Sequence, residues 1–273
     1  MPRDTHHIPA PLPPLAGAMG VMCPGVVAFA GSGPGDPDLL TLKVLKALRE
    51  ADVILFDRLV SAEIMALAHD GAILEDVGKE GFGPSMAQED ICARLVHHAQ
   101  RGRKVLRLKS GDPTIFGRLD EELTACEAAG IDAQILPGIT AASAAVAAIG
   151  QSLTQRGRNS SVRFLTGHDM KGFADHDWAQ LARSGEVAAV YMGKKSARFV
   201  QGRLLMHGAD RNMAVTVVEN ASRADQRVLA TTLDTLPADL AAAAFAGPAL
   251  TFLGLAPRVA VAAAHDKIQM ELA

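Results

Sequence analysis

The sequence predicts an α/β protein: a mostly parallel sheet in the first half, a mixed sheet in the second, and helices covering both. Three observations carry that prediction. From Gly25 onward, short β-branched and apolar runs alternate with stretches whose apolar residues recur at helical spacing. Such alternation belongs to buried parallel strands joined by crossover helices. Glycine and proline punctuate the chain just past several of these runs. Finally, QRVLATT follows AVTVVEN across only a short polar link. That link has no room for a crossover helix, so these two runs pair as a hairpin.

Each element follows in order. VVAFA (26–30) is the first strand, and Leu39, Leu42, Leu45 and Leu48 then fall at helical spacing. Asp36 or Asp38 suits the cap of that helix and Pro37 its first turn. DVILFD (52–57) is a second buried strand; a helix near 62–68, a strand at 72–77, a helix over 88–100 and a strand at 104–108 repeat the cycle. A helix around 121–129, a strand at 132–136 and an alanine-rich helix after Pro137 and Gly138 close the N-terminal α/β domain, 25–150. The polar QSLTQRGRNS is a loop that opens the C-terminal domain, 151–273. There SVRFLTGH, VAAVYM, AVTVVEN, QRVLATT and PALTFLGL hold strands, with helices at 177–183, 197–207 and near 236–244. Residues 1–24 are proline-rich and lack the pattern of a secretory signal, so they form a disordered or extended arm in which His6 and His7 are solvated.

Composition removes several function classes. Of 273 residues, 49% are hydrophobic and 21% charged, which excludes wholesale disorder. A net charge of −3 leaves no positive surplus for a nucleic-acid backbone. Cys23, Cys92 and Cys126 form no CxxC pair, which points to a reducing cytoplasm and to no metal site. No apolar run reaches the roughly 18 residues of a membrane helix.

Chemistry concentrates at strand ends. GSGPGDP places Gly31, Gly33 and Gly35 between a strand and a helix, where backbone amides can meet an anion. The spacing is G-x-G-x-G rather than the dinucleotide pattern, Pro34 removes one donor, and no GK[ST] follows. A nucleotide-binding oxidoreductase is therefore disfavoured, and a tight turn is the plain alternative. SGDPTIFGR and PGITAAS lie past two further strands, the usual side for ligands in an open parallel sheet. Three such loops argue for one lined cleft. Asp57 and Lys79 also follow strands and have the residue types of an acid/base pair; a surface ion pair is the bland reading. His168 in TGHDM and Met192 in YMGKK stand at later strand ends, where a lone histidine is seldom catalytic and a methionine is most often core.

Taken in order, GSGPGDPDLLTLKVLKALREADVILFDRLVS, VGKEG, KVLRLKSGDPTIFGR, LPGITAASAA, TGHDM, YMGK, VENAS and Gln226 resemble the uroporphyrinogen-III C-methyltransferases, including the methyltransferase part of siroheme synthases, within the tetrapyrrole methylase family. The likeness runs from about Gly25 to Pro257, and its weight comes from the number, order and spacing of motifs. It implies a two-domain tetrapyrrole methylase fold with S-adenosylmethionine bound in the interdomain cleft, no metal, and a cytoplasmic homodimer. It implies methylation of uroporphyrinogen III at C-2 and C-7 to precorrin-2, on the way to siroheme, cobalamin or haem d1. S-adenosylhomocysteine is then the second product.

The resemblance also implies roles. Pro34, Ser110, Gly111, Asp112, Ile115, Thr140, Ala141, Met192 and Ala221 match the family's cofactor contacts, Asp57 its proton acceptor and Lys79 its proton donor. A carboxylate near the ring would stabilise the positive charge that methylation creates. Ser110 stands where the family usually has glycine, Leu119 and Asp120 where it has two glycines, Glu80 where it has arginine and Gln155 where it has histidine. Those changes bear on the substrate side more than on the cofactor. The competing readings are another precorrin methyltransferase and a non-catalytic binder of S-adenosylmethionine or tetrapyrrole. The length leaves no room for the dehydrogenase and chelatase module of siroheme synthase.

Overall fold

The structure, a computed structural model, describes residues 20–78, 86–169 and 172–258. The first lobe is built on a parallel five-stranded sheet of β1 (Val27–Gly31), β2 (Val53–Phe56), β3 (Ile73–Asp76), β4 (Val105–Lys109) and β5 (Ala133–Leu136), in the order β3-β2-β4-β1-β5. Its crossovers carry α1 (Leu42–Glu50), α2 (Ala62–Met65), α3 (Gln88–Gln100) and α4 (Leu119–Ala128). Both faces of the sheet are covered. Ala28, Ala30, Ile54, Leu106 and Leu108 pack with Val44, Leu48 and Ile64 on one side. Val27, Phe29, Val53, Leu55 and Val105 pack with Ile91, Leu95 and Cys126 on the other. This two-sided burial explains why the strands read as continuous apolar runs. Burial also pushes the Cys126 thiol up to about 11, so it acts as core.

The register aligns the strand ends. Gly31 lies opposite Lys109, Phe56 opposite Leu108 and Ala30 opposite Leu136. The loops after β1, β2, β4 and β5 therefore leave the sheet at one level and along one edge.

The second lobe is a mixed five-stranded sheet of β6 (Arg163–Thr166), β9 (Ala188–Tyr191), β10 (Ala214–Glu219), β11 (Arg227–Thr232) and β12 (Ala249–Leu253), in the order β11-β10-β12-β9-β6. Only β6 and β9 are parallel; β10 and β11 form the expected hairpin. Trp178 and Leu181 of α6 (Trp178–Leu181), Val200 and Leu204 of α7 (Ala197–Met206) and Leu236 and Leu240 of α8 (Leu236–Ala243) cover one face. The other face is covered by α5 (Ala141–Ala148), whose Ala142, Ala145 and Val146 pack against Val218, Leu250 and Phe252. This helix follows the last strand of the first sheet and joins the two lobes.

Three local features differ from the sequence expectation. The first helix is split: Asp36 caps a 3-10 turn at Pro37–Leu39, Leu40 is extended, and Thr41 caps α1 through the Val44 amide. The leucine spacing ran through this break although it does not mark one buried face: Leu42 is exposed, the 3-10 turn buries nothing, and α1 packs through Val44, Ala47 and Leu48. A small hairpin, β7 (His168–Asp169) with β8 (Gly172–Phe173), stands where only a loop was expected. Two-residue strands are too short to show an alternating pattern. The end of the proline-rich arm is docked: Met22 is buried and donates its amide to Glu50 Oε2 at 3.0 Å.

Candidate active site

Three loops at the C-terminal edge of the first sheet meet one another. Gly33 and Gly111 exchange backbone hydrogen bonds of 3.1 and 2.8 Å. Both have left-handed φ, +72° and +70°, which glycine adopts freely. Asp112 joins the second loop to the third. Its Oδ2 accepts the Gly138 amide at 3.0 Å while Oδ1 accepts the Thr114 amide at 2.8 Å. Gly31 and Gly138 flank the Gly111 carbonyl so closely that a Cβ on either would run into that oxygen. The result is a rim of bare backbone carrying Pro34, Ser110, Gly111, Asp112, Ile115, Thr140 and Ala141. Asp112 was expected as a cofactor contact; in this structure its carboxylate braces two loops.

The second lobe closes on this rim at two places. At the end of β9, the Tyr191 hydroxyl hydrogen-bonds with Thr140 Oγ1 and accepts the Ala142 amide at 3.3 Å. Burial raises the Tyr191 phenol above its ordinary value, so it remains protonated. Phe116 packs on the Tyr191 ring at 5.2 Å. Next in chain, Met192 is 53% exposed with a left-handed backbone (φ 56°), and its carbonyl accepts from His168 Nδ1 at 3.3 Å. Past β10, Ala221 is buried against Ala142 and Val146 of α5. Beside it, Ser222 Oγ accepts the Asp36 amide at 3.2 Å, and Arg223 reaches the Pro34 and Leu59 carbonyls. Eight of the nine residues expected as cofactor contacts thus lie on loops at the facing ends of the two lobes, and Ala141 opens α5 beside them.

Asp57 follows β2 beside this rim and is tied to a buried charge network. Arg107 Nη2 donates to Asp57 Oδ1 at 2.5 Å, and its Nε donates to Glu122 Oε1 at 2.9 Å. Lys109 Nζ donates to Glu122 Oε2 at 2.7 Å, and Gln88 Nε2 to Oε1 at 3.1 Å. Arg107, Lys109 and Glu122 are buried, whereas the Asp57 side chain keeps 33% of its surface open. The ion pair of Asp57 is therefore anchored in the core rather than at the surface. Burial works against the Arg107 charge, but Asp57 and Glu122 outweigh it and hold its pKa above the ordinary arginine value. Burial and the neighbouring Arg107 pull Lys109 below the usual lysine range. The arrangement offers the cleft one open carboxylate, oriented from behind by a permanent cation. Lys79, expected as its acid/base partner, lies outside the described residues, as does Glu80.

Sequence reasoning missed Arg107, Lys109, Glu122, Tyr191 and Arg223. One signal was available. Arg107 and Lys109 alternate within the apolar run KVLRLK, so both face one side of a strand that is otherwise buried. Charges there require a buried counter-charge.

The site sits within a recognisable lineage. Residues 26–237 match the family Tetrapyrrole (Corrin/Porphyrin) Methylases. The siroheme synthase of Methylococcus capsulatus is 45% identical over 231 residues, 84% of this chain and 49% of that protein. Siroheme synthase 1 of Yersinia enterocolitica is 46% identical over 230 residues, 84% of this chain and 48% of its own length. This chain thus spans about half the length of these curated relatives. Among solved structures, a uroporphyrin-III C-methyl transferase from Thermus thermophilus, complexed with S-adenosyl homocysteine, superposes with a TM-score of 0.71 at 34% identity, covering 84% of this chain and 96% of that one. A cobalt precorrin-4 methyltransferase superposes with a TM-score of 0.76 at 26% identity, covering 84% and 95%. The chain belongs to the tetrapyrrole methylase family.

Proposed function

We propose that this protein methylates uroporphyrinogen III at C-2 and C-7 with S-adenosylmethionine, giving precorrin-2 and S-adenosylhomocysteine, and that it works as a cytoplasmic homodimer. The observation that carries the reading is the meeting of the glycine rim with the Asp57 loop: Ser61 Oγ donates to the Gly35 carbonyl at 2.9 Å. A methyl-donor site and an oriented carboxylate are thereby built side by side. The backbone-to-backbone packing of Gly31, Gly111 and Gly138 fixes the shape of the rim that would meet the cofactor. Pro34, Ser110, Gly111, Asp112, Ile115, Thr140, Ala141, Met192 and Ala221 would hold it. Bound there, S-adenosylmethionine supplies an electrophilic methyl group on a sulfonium.

The protein's own residues have three tasks. The backbone rim orients the donor. The paired lobes exclude water, Tyr191 and Arg223 forming the seams. Asp57 faces the macrocycle as the pyrrole carbon gains its methyl group and positive charge, stabilises that charge, and accepts the departing proton. Arg107 keeps the carboxylate aimed. Lys79 would bind a side-chain carboxylate of the substrate or return a proton.

The test is incubation with uroporphyrinogen III and methyl-labelled S-adenosylmethionine, with products identified by mass. The expected product carries two labelled methyl groups; absence of label in any tetrapyrrole removes the reading. The superposition with a cobalt precorrin-4 methyltransferase favours a second reading, methylation of a later corrin precursor. Label entering such a precursor but not uroporphyrinogen III would select it. Sedimentation at micromolar concentration tests the dimer.

A further inference from the structure

The loop from Asn220 to Gln226 is held in a shape that a relaxed chain would avoid. Asn220 and Ser222, on either side of Ala221, both have left-handed backbones, with φ of 50° and 69°. Asparagine tolerates that conformation, whereas a serine rarely adopts it unless its surroundings enforce it. Here several bonds enforce it. The Asn220 amide donates to the Pro248 carbonyl at 2.9 Å, and Asn220 Nδ2 donates to Asp225 Oδ2 at 2.7 Å. The Ser222 amide donates to Gln226 Oε1 at 2.8 Å, and the Arg223 amide to the Asn220 carbonyl at 2.9 Å. The shape turns the side chains of Ser222 and Arg223 toward the first lobe.

Arg223 meets backbone carbonyls there. Nη2 donates to the Leu59 carbonyl at 2.6 Å and Nε points at the Pro34 carbonyl at 3.5 Å. Among the described residues it forms no ion pair. Its partners are two uncharged backbone oxygens on different loops: one next to the glycine rim, the other two residues past Asp57. Gly35 leaves the room, since a Cβ there would lie 2.6 Å from Arg223 Nε. The rigid fork of arginine spans two acceptors in a way that the single ammonium of lysine does not. Ser222 adds a third tie through the Asp36 amide.

We propose that Arg223 is a positioning residue: it clamps the Pro34 loop and the Asp57–Leu59 loop to the second lobe, and so fixes the methyl-donor site relative to Asp57. The inference rests on the proposed methyltransferase reading for its catalytic consequence, and on geometry alone for the clamp. The clamp predicts an effect on cofactor affinity and on turnover, but none on the tetrapyrrole KM, because the Arg223 guanidinium is engaged by the Pro34 and Leu59 carbonyls.

The experiment compares wild type, Arg223→Ala and Arg223→Lys. S-adenosylhomocysteine affinity is measured by calorimetry, kcat and KM with uroporphyrinogen III, melting temperature, and amide hydrogen exchange in a peptide covering 31–40. In Arg223→Ala, affinity and kcat are each expected to fall about tenfold or more, the loss typical of a hydrogen bond to a charged group. Exchange across 31–40 should quicken while the tetrapyrrole KM stays within about twofold of wild type. Arg223→Lys, able to satisfy one carbonyl, should recover part of each loss. Unchanged exchange and affinity in Arg223→Ala would overturn the clamp. A raised tetrapyrrole KM with unchanged cofactor affinity would overturn it too, and make Arg223 a substrate contact. Activity lost only in proportion to melting temperature, without rescue by lysine, would reduce it to a fold-stabilising residue. If wild type itself binds no S-adenosylhomocysteine, the methyltransferase reading falls, and hydrogen exchange still decides the clamp.

Discussion

Both lobes bury a carboxylate against a five-stranded sheet, one on a covering helix and one on a strand, and they use it differently. In the first lobe, fully buried Glu122 sits between Arg107 and Lys109 of the central strand β4, and Arg107 passes the connection on to Asp57 at the cleft. In the second lobe, Glu219 of β10 is 3% exposed, accepts the Gly247 amide at 2.5 Å and meets an exposed Arg227 at 3.4 Å. The first carboxylate organises cations that reach the site. The second holds its own lobe's loop. The difference teaches where chemistry and where closure reside: charge is concentrated behind Asp57, while the second lobe contributes Tyr191, Met192, Ala221 and Arg223 as a covering edge.

The strongest way to break this contrast is to remove both carboxylates in turn. Glu122→Ala leaves two buried cations without their shared partner and should destabilise the protein by about 3–5 kcal/mol. Glu219→Ala strands one amide and an exposed arginine, and should cost about 1–3 kcal/mol. Denaturant melts of the two variants measure both numbers. Equal losses, or a larger loss at Glu219, would show that the first lobe's network has no special weight.

Next in size is Asp57→Asn. The amide is nearly isosteric, but it is uncharged and cannot accept a proton. Turnover with uroporphyrinogen III should fall about 10²-fold or more if Asp57 is the general base. Cofactor affinity should stay near wild type, since Asp57 points to Arg107 and the cleft rather than into the glycine rim. Calorimetry beside the turnover assay separates the two effects. Unchanged turnover would return Asp57 to the role of a structural ion-pair partner.

How much of this was legible in the sequence follows from distance along the chain. Local patterns were readable. The α3 helix was expected over 88–100 and is found at Gln88–Gln100; the β10–β11 hairpin follows from a link too short for anything else. The glycine loops were readable as loops at strand ends. What pairs across the chain was not. Arg107 lies 50 residues from Asp57, and Arg223 lies 164 from Leu59. No periodicity encodes such a meeting, which depends on strand order and lobe closure. The apolar face of α5 was visible in TAASAAVAAI, yet nothing in its spacing says that it covers the second sheet instead of the first. Asp112 adds a second case: the motif marks the loop, and only the fold reveals that its carboxylate ties Gly138.

A smaller effect sharpens the contrast at the seam. Tyr191→Phe keeps the ring packed on Phe116 and Phe164 but removes the hydroxyl that meets Thr140 and Ala142. The loss of that neutral hydrogen bonding should cost about 0.5–1.5 kcal/mol, read as a few-fold weaker S-adenosylhomocysteine affinity with little change in melting temperature. An affinity equal to wild type would make Arg223 the only seam that matters to the cofactor.

The smallest expected effect lies in the first lobe but away from the cleft, and it tests whether the charges behind Asp57 are special or whether any ion pair in that lobe matters. Glu75 on β3 accepts from Arg94 at 3.1 Å and pairs with His98 at 2.8 Å. Burial pushes its carboxyl up, but the His98 and Arg94 hydrogen bonds and charges outweigh that and hold it below the ordinary value of 4.5. Because the folded state binds this proton less tightly than the unfolded chain, the stability that Glu75 adds is fully present above the ordinary carboxylate range. It is lost as pH falls through the lowered folded value. Glu75→Gln should therefore cost less than about 1 kcal/mol at pH 7, and the gap from wild type should close in melts run at progressively lower pH, below 4.5. Turnover at pH 7 should not change, since among the described residues the side-chain partners of Glu75 are Arg94 and His98 and that of Asp57 is Arg107. A loss at Glu75 as large as that at Glu122 would mean that the first lobe depends on its carboxylates generally. A gap that persists in acid would mean that the glutamine disturbs packing rather than charge.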